Sequence, residues 1–186
     1  MVEDNGLAAE ELIPTGGSWN GLLFDNPTIG LAPGLTWTFT FDFEDVARSY
    51  GTTGVSLTLD WVPLAAESWR LTAGQAASGS TFGEPIESSA YFFDHHRYDA
   101  AELRVVEQRG DEVRVVASVR GDLDGLGIEA LDVDRWLRFE GIIVQLSDVP
   151  TSAAAATRRL AEFTDTTGLA CTPTSRGFRF AALALA

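Results

Sequence analysis

Residues 36–43, which read TWTFTFDF, alternate strictly between polar and aromatic side chains. Trp37, Phe39, Phe41 and Phe43 take every second position, and threonine or aspartate takes the positions between them. Successive side chains of a β-strand point to opposite faces, so this period places all four rings on one side. The segment is therefore predicted to be a strand with one aromatic face and one polar face.

The same period of two predicts further strands along the chain. In residues 55–61 (VSLTLDW) every second residue is apolar, and Trp61 continues that apolar face. Residues 139–146 form a largely apolar run, which is typical of a strand buried on both sides. Additional strands are expected at residues 67–72, 86–93 and 177–185.

A hairpin is predicted over residues 103–119, around the sequence RGD at 109–111. If Gly110 and Asp111 form a two-residue loop, opposite charges and branched apolar residues fall into register together. The expected partners are Arg109 with Glu112, Glu107 with Arg114, Val105 with Val116, and Val106 with Val115.

After Pro150 the spacing of apolar residues changes from two to three or four, which predicts a helix near residues 151–166. Thr151 or Ser152 can cap its start, and Gly168 can end it. The predicted fold class is α+β, mainly antiparallel β. It has about eight strands, in a barrel or sandwich-like arrangement, and this one late helix.

The length of 186 residues fits a single domain, residues 1–186. Residues 1–34 are rich in Gly, Pro, Asn and Asp and are expected to form an extended, loop-rich N-terminal segment, with one short strand at residues 22–24 (LLF). Residues 74–85 are predicted to be a loop from their composition.

The charge of the chain restricts its chemistry and its partners. It carries 27 acids and 13 bases, a net charge of −14, and every base is an arginine. The absence of lysine excludes Schiff-base catalysis and a P-loop lysine. Abundant Ala, Gly and Arg without Lys is what a GC-rich bacterial genome would encode. Residues 1–66 hold nine acids and one arginine, a net charge of −8.

This acidic balance argues against nucleic acid and against an anionic membrane surface as partners. It is compatible with a basic protein partner, bound by Asp42, Glu44 and Asp45, although acidity also serves solubility. The N-terminal sequence lacks the features of a signal peptide, and no apolar run is long enough to span a bilayer. A cytoplasmic location is expected. The single cysteine, Cys171, excludes an internal disulfide.

Both histidines lie in YFFDHHRYD, residues 91–99. On a strand, His95 and His96 would point to opposite faces and would not ligate one ion together. A metal site normally needs three protein ligands, so no metal is predicted; if one binds, Asp94 and His96 are the first candidate ligands. The simpler interpretation is a strand end that turns into a polar loop.

The acidic segment 120–134 resembles a calcium loop only in part. Asp122, Asp124 and Gly127 fit the EF-hand pattern, but Leu126 and Val133 stand where ligands are needed. A solvated turn is therefore favoured over an irregular calcium site.

Two functions remain open from the sequence. The favoured one is a non-enzymatic, acidic, cytoplasmic β-rich domain that binds a protein partner, for example as an inhibitor or immunity-type protein. The alternative is a small β-barrel that binds or transforms an apolar small molecule. Its pocket would be lined by Trp37, Phe39 and Phe41, with His95 or His96 as the polar group. No catalytic residue and no cofactor is predicted, because no catalytic or nucleotide-binding motif occurs.

Overall fold

The computed structural model describes residues 6–81 and 86–183. Short 3-10 helices lie at Ala9–Glu11 and Pro27–Ile29, and one α-helix, α1, spans Ala153–Leu160. The strands are β1 (Pro14–Asn26), β2 (Leu31–Arg48), β3 (Gly51–Val62), β4 (Ala76–Ser80), β5 (Glu87–Phe92), β6 (Asp94–Arg109), β7 (Glu112–Asp122), β8 (Ala130–Gln145), β9 (Leu169–Thr174) and β10 (Gly177–Ala182).

Seven of these strands close into a barrel in the order β1–β2–β3–β5–β6–β7–β8. The neighbours pair antiparallel, except that β1 pairs with β8 in parallel and so closes the barrel. β4 adds to β6, and the β9–β10 hairpin adds to β8. The predicted mainly antiparallel β fold with one late helix is confirmed, with this parallel pair as its exception.

Aromatic side chains fill the barrel interior. Trp37, Phe39 and Phe41 of β2 are each at most 1% exposed. The Trp19 ring from β1 lies 5.2 Å from Trp37 and 6.2 Å from Phe39, measured between ring centroids. Burial of such large apolar surfaces is the main force that holds a β-barrel of this kind together.

A bulge at Gly141 lets β8 change partners. Up to Arg138, β8 pairs with β7. From Arg138 onwards it pairs with β1, and beyond the bulge it pairs with β10 on the other side. Gly141 has a φ of 118°, and a Cβ there would lie 2.3 Å from the carbonyl oxygen of Phe180. Only glycine satisfies both demands, so this residue permits β10 to dock.

The helix begins where the change of period predicts. The Ser152 side chain accepts a hydrogen bond from the backbone N–H of Ala155, and Ala156 and Leu160 are buried against the barrel. The helix ends at Leu160 rather than near residue 166. The chain then tightens into turns, and the Asp165 N–H donates to the carbonyl oxygen of Glu67.

The prediction of a loop-rich segment at residues 1–34 is wrong in extent. The short strand expected at residues 22–24 is part of the 13-residue strand β1, so the segment from residue 14 to 21 is strand as well. Trp19, Gly21 and Leu23 all face the interior. The alternation was hidden because glycine occupies one inward position, where a Cβ would crowd the Trp37 ring at 3.1 Å. Residues 1–5 lie outside the described residues.

Two further segments differ from the predictions. Residues 67–72 form no strand; only Ser68 makes an isolated bridge, to Asp165, and Trp69 stacks on Phe139 at 4.5 Å. Residues 76–80 of the predicted loop form β4, because small side chains let this segment pair with β6. Residues 82–85 of that loop lie outside the described part of the chain.

The β6–β7 hairpin has the predicted charge register, with Arg109 opposite Glu112 and Glu107 opposite Arg114. The valine register is wrong by one residue, because Val105 lies opposite Val115. A bulge expels Val106, which is 45% exposed, so that Val105 and Val115 both stay inside. The gain from burying two branched side chains exceeds the cost of an interrupted ladder.

Candidate functional site

Hydroxyl and carboxylate side chains cover the outer surface of β1, β2, β3 and β5. The strand register aligns them in rows across the strands: Asp42, Ser56 and Tyr91 form one row, and Thr40, Thr58 and Ser89 the next. We call this surface the acidic face. Its residues are Ser18, Asn20, Thr36, Thr38, Thr40, Asp42, Glu44, Asp45, Ser56, Thr58, Asp60, Glu87, Ser89 and Tyr91.

The acidic face is a regular and firmly held surface. The Thr38 hydroxyl donates to a carboxylate oxygen of Asp60 at 2.7 Å, and the hydroxyls of Thr40 and Thr58 lie 3.5 Å apart. Such cross-strand pairs favour a fixed arrangement of side chains. From Thr36 to Asp42 the face extends about 20 Å along β2, at about 3.3 Å per residue.

No arginine neutralises this surface among the residues that the structure describes. None of the carboxylates of Asp42, Glu44, Asp45, Asp60 and Glu87 forms an ion pair within residues 6–81 and 86–183. The predicted partner-binding residues Asp42, Glu44 and Asp45 are exposed, and the register adds Asp60 and Glu87 to them. The face therefore presents two groups of carboxylates without ion pairs to solvent, one at Asp42, Glu44 and Asp45 and the other at Asp60 and Glu87.

The opposite side of the barrel has a different arrangement. On the outer surface of β6, β7 and β8, Arg114 binds Asp134 and Arg120 binds Asp132, each at 2.7 Å. The hydrogen-bonded Arg114 guanidinium lowers the pKa of Asp134. We call this surface the ion-paired face. Its residues are Glu102, Arg104, Arg114, Val116, Ser118, Arg120, Asp132, Asp134 and Trp136.

The two histidines point to opposite sides of β6, as the alternation predicts. His95 is exposed beside the acidic face, and its ring meets Tyr91 edge-on at 5.3 Å. His96 lies opposite the buried Ala90, and its Nε2 is 3.3 Å from the carbonyl oxygen of Phe92. The Asp94 carboxylate accepts a hydrogen bond from the His95 N–H at 2.8 Å. Asp94 is thus already engaged with the backbone.

Within the described ranges, no three His, Cys, Asp or Glu side chains converge in a way that could hold a metal ion. In the acidic segment 120–134, the Asp122 carboxylate accepts hydrogen bonds from the backbone N–H groups of Asp124, Gly125 and Gly127. Burial opposes the charge on Asp122, but backbone N–H groups outweigh it, and the pKa of Asp122 is lowered. These contacts shape the loop.

Two arginine–carboxylate ion pairs lie at the end of the barrel near this loop. The Arg97 side chain binds the Asp124 carboxylate, and this hydrogen-bonded pair lowers the pKa of Asp124. Arg48, the arginine of residues 1–66, binds Glu11 at 2.8 Å and lowers the pKa of Glu11 to about 2. Arg48 is thus engaged at this end of the barrel and does not neutralise the acidic face.

The aromatic residues of the alternative pocket belong to the packed core. Trp37, Phe39 and Phe41 lie inside the barrel, whereas His95 lies outside, so the structure does not bring these groups together. His96 shares an inner cross-strand row with Phe41, but Leu57 and Ala90 stand between them.

An apolar surface cavity, which the sequence did not predict, lies beside the acidic face. Alternation predicts that Trp61 faces inward, but a bulge in β3 places Val62 inside, at 0% exposure. Trp61 takes a φ of 61°, a left-handed conformation that costs a bulky residue about 1–3 kcal/mol. Its ring turns outward and lies 5.9 Å from the ring of Phe24.

No family model, curated protein or solved structure matches this chain. Within the described residues, no helix has the length and apolar character needed to cross a bilayer.

Proposed function

We propose that this domain binds a basic protein partner through the acidic face. The observation that supports this proposal most strongly is the contrast between the two sides of one barrel. Asp132 and Asp134 on the ion-paired face are each neutralised by an arginine, whereas the carboxylates of the acidic face form no ion pair among the described residues. A bacterial, cytoplasmic inhibitor or immunity-type protein that blocks a basic toxin is the concrete form of the proposal.

The filled barrel supports a surface function over an internal one. Trp19, Trp37 and Phe39 occupy the interior, so the exposed strands offer the larger uncommitted surface. Long-range attraction between opposite charges accelerates association and selects against acidic partners. Salt screens this attraction over about 8 Å at physiological ionic strength, so binding should weaken as salt rises.

A defined probe tests the proposal. A fluorescein-labelled twelve-residue peptide of alternating lysine and serine is titrated with the protein in 20 mM and 150 mM NaCl, and fluorescence anisotropy gives the Kd. Two triple variants are compared. One changes the acidic face (Asp42→Asn, Glu44→Gln and Asp45→Asn), and the control changes the ion-paired face (Glu102→Gln, Asp132→Asn and Asp134→Asn).

Both triple variants remove three negative charges, so the net charge changes from −14 to −11 in each. We expect the Kd to rise at least about fivefold for the acidic-face variant and less than about twofold for the control. The salt dependence should also flatten only in the acidic-face variant. Equal losses in the two variants, or no binding of the peptide at low salt, would reject the proposal.

A further inference from the structure

We propose that the cavity beside Trp61 is an anchor pocket, and that it receives one apolar side chain of the basic partner, flanked in the partner by lysine or arginine. This inference rests on the proposed function and specifies the chemistry of the partner. The cavity has a volume of about 370 Å³. That volume lies at the small end of the range for ligand pockets, about 300–1,000 Å³.

The walls of the cavity are apolar and open to solvent. Phe24 and Trp61 form one wall; Ile29 comes from the 3-10 helix between β1 and β2, and Leu31 is the first residue of β2. Ile29 is 74% exposed and Leu31 is 45% exposed, although both are large apolar residues. An apolar side chain of a partner would remove this surface from water, which is favourable by the hydrophobic effect.

Charge complementarity identifies the neighbours of that apolar side chain. Glu87 lines the cavity, and Asp60 lies directly opposite Glu87 in the β3–β5 pairing. No basic side chain is among the described residues that line the cavity. If an apolar residue of the partner enters the pocket, the lysine or arginine residues that flank it would therefore lie near the carboxylates of Asp60 and Glu87.

The cavity is continuous with the acidic face. Thr36 belongs to both, and the face extends from there along β2 to Asp42. A partner segment that lies along the face can thus place basic side chains over its carboxylates and an apolar side chain in the cavity. Tryptophan is among the residues that most often dominate binding energy at protein interfaces.

The backbone at Trp61 is also better explained by binding than by packing. Val62 already fills the inward position, and Trp61 is held outward at a φ that favours glycine. Strained backbone of this kind is concentrated at ligand sites. A glycine at this position would relieve the strain and would remove the ring from the cavity.

The test changes a single residue of the lysine–serine peptide. A second peptide replaces one central serine with leucine, and the ratio of the two Kd values measures the contribution of the apolar side chain. We expect leucine to lower the Kd for the native protein at least about tenfold, because burying a leucine side chain in an apolar pocket favours binding by a factor of about that size.

Variants of Trp61 test whether the gain in affinity from leucine arises in this cavity. Trp61→Ala and Trp61→Gly should reduce the leucine gain to less than twofold, while both retain their affinity for the lysine–serine peptide. Trp136→Ala is the matched control, since Trp136 is also a partly buried tryptophan, on the ion-paired face, and it should keep the gain. Trp61→Gly requires no side chain in the left-handed region, so its Tm should stay within about 3 °C of the native value or rise.

The outcomes separate the two proposals. If the lysine–serine peptide binds but leucine gives no gain, or if the gain persists in both Trp61 variants, the pocket is rejected and the acidic face stands. If neither peptide binds, the proposed function is rejected as well. Light scattering that shows a dimer, dissociated by Leu31→Asp, would overturn the pocket because a second copy of the chain would occupy it.

Discussion

The acidic face and the ion-paired face both arise from the alternation of side chains along the strands of one barrel. They differ in whether their aspartates form ion pairs with arginine. On β7 and β8, each aspartate of the ion-paired face has an arginine within hydrogen-bonding distance. On β2, β3 and β5, carboxylates stand among hydroxyls, and Thr38 is the side chain that binds Asp60.

The two faces differ in whether their carboxylates form ion pairs, and we expect neither arrangement to decide the stability of the barrel. Exposed ion pairs contribute little, about 0–1 kcal/mol each, so either arrangement is compatible with the fold. The aspartates of the ion-paired face are paired within the chain, whereas the carboxylates of the acidic face form no ion pair among the described residues and remain available to another molecule. Variants that change one face at a time test this contrast.

The largest effect is expected inside the barrel, which both faces share. Phe39→Ala should reduce the free energy of unfolding by about 3–5 kcal/mol, because Phe39 is fully buried and stacks on Trp19. Urea denaturation followed by circular dichroism measures the change. A loss below about 1 kcal/mol would mean that the interior is loosely filled, and the small-molecule alternative would then regain support.

A single arginine introduced into the acidic face should make it resemble the ion-paired face. Thr40→Arg places a cation in the row next to Asp42, and we expect at least about a tenfold loss of affinity for the lysine–serine peptide. Ser118→Arg, the same kind of change on the ion-paired face, should leave the Kd within about twofold. Anisotropy titrations at 20 mM NaCl compare them. Similar losses in both variants would erase the distinction between the faces.

Loss of a carboxylate should affect stability differently on the two faces. Asp134→Ala leaves Arg114 without its bidentate partner and should reduce the free energy of unfolding by about 0.5–1 kcal/mol. Asp42→Ala should change it by less than about 0.5 kcal/mol in either direction. Parallel urea denaturation curves at pH 7 are sufficient. A larger loss for Asp42→Ala would show that the acidic face supports the fold.

The smallest effect concerns Arg48, the arginine nearest the acidic face in sequence. The pKa of Glu11 is about 2 in the fold, below its ordinary value of 4.5, because Arg48 binds it. Its stabilising contribution is therefore present above pH 4.5 and is lost as the pH falls toward 2. Thermal unfolding should show that Glu11→Gln is less stable than the native protein at pH 6, by less than about 1 kcal/mol.

The same experiment at low pH provides the control. The difference in Tm between Glu11→Gln and the native protein should shrink steadily between pH 4.5 and pH 2. A difference that is constant across this range would show that the Arg48–Glu11 contact has no electrostatic role.

Local alternation was sufficient to predict much of this fold. The aromatic strand at residues 36–43, the charge pairs of the β6–β7 hairpin and the start of the helix after Pro150 all depend on neighbours in sequence. The bulges at Val106, Trp61 and Gly141 were not predicted, because an extra residue in a strand leaves no periodic signal.

Long-range pairing explains what else was missed. The parallel contact that closes the barrel joins Trp19 to Phe139, and no local pattern indicates such a partner. The site was predictable only in part. Charge density pointed to Asp42, but only the strand register brings Glu87 and Asp60 into the same surface. The apolar cavity required knowledge that Trp61 turns outward.

The most direct test of the acidic face as the binding surface is an NMR titration of ¹⁵N-labelled protein with the lysine–serine peptide at 20 mM NaCl. We expect the shifted backbone amides to cluster in residues 38–44, 56–60 and 87–91, and to return to their original positions in 500 mM NaCl. Shifts concentrated in residues 114–120 and 130–136, or spread evenly over the barrel, would contradict the assignment of partner binding to the acidic face.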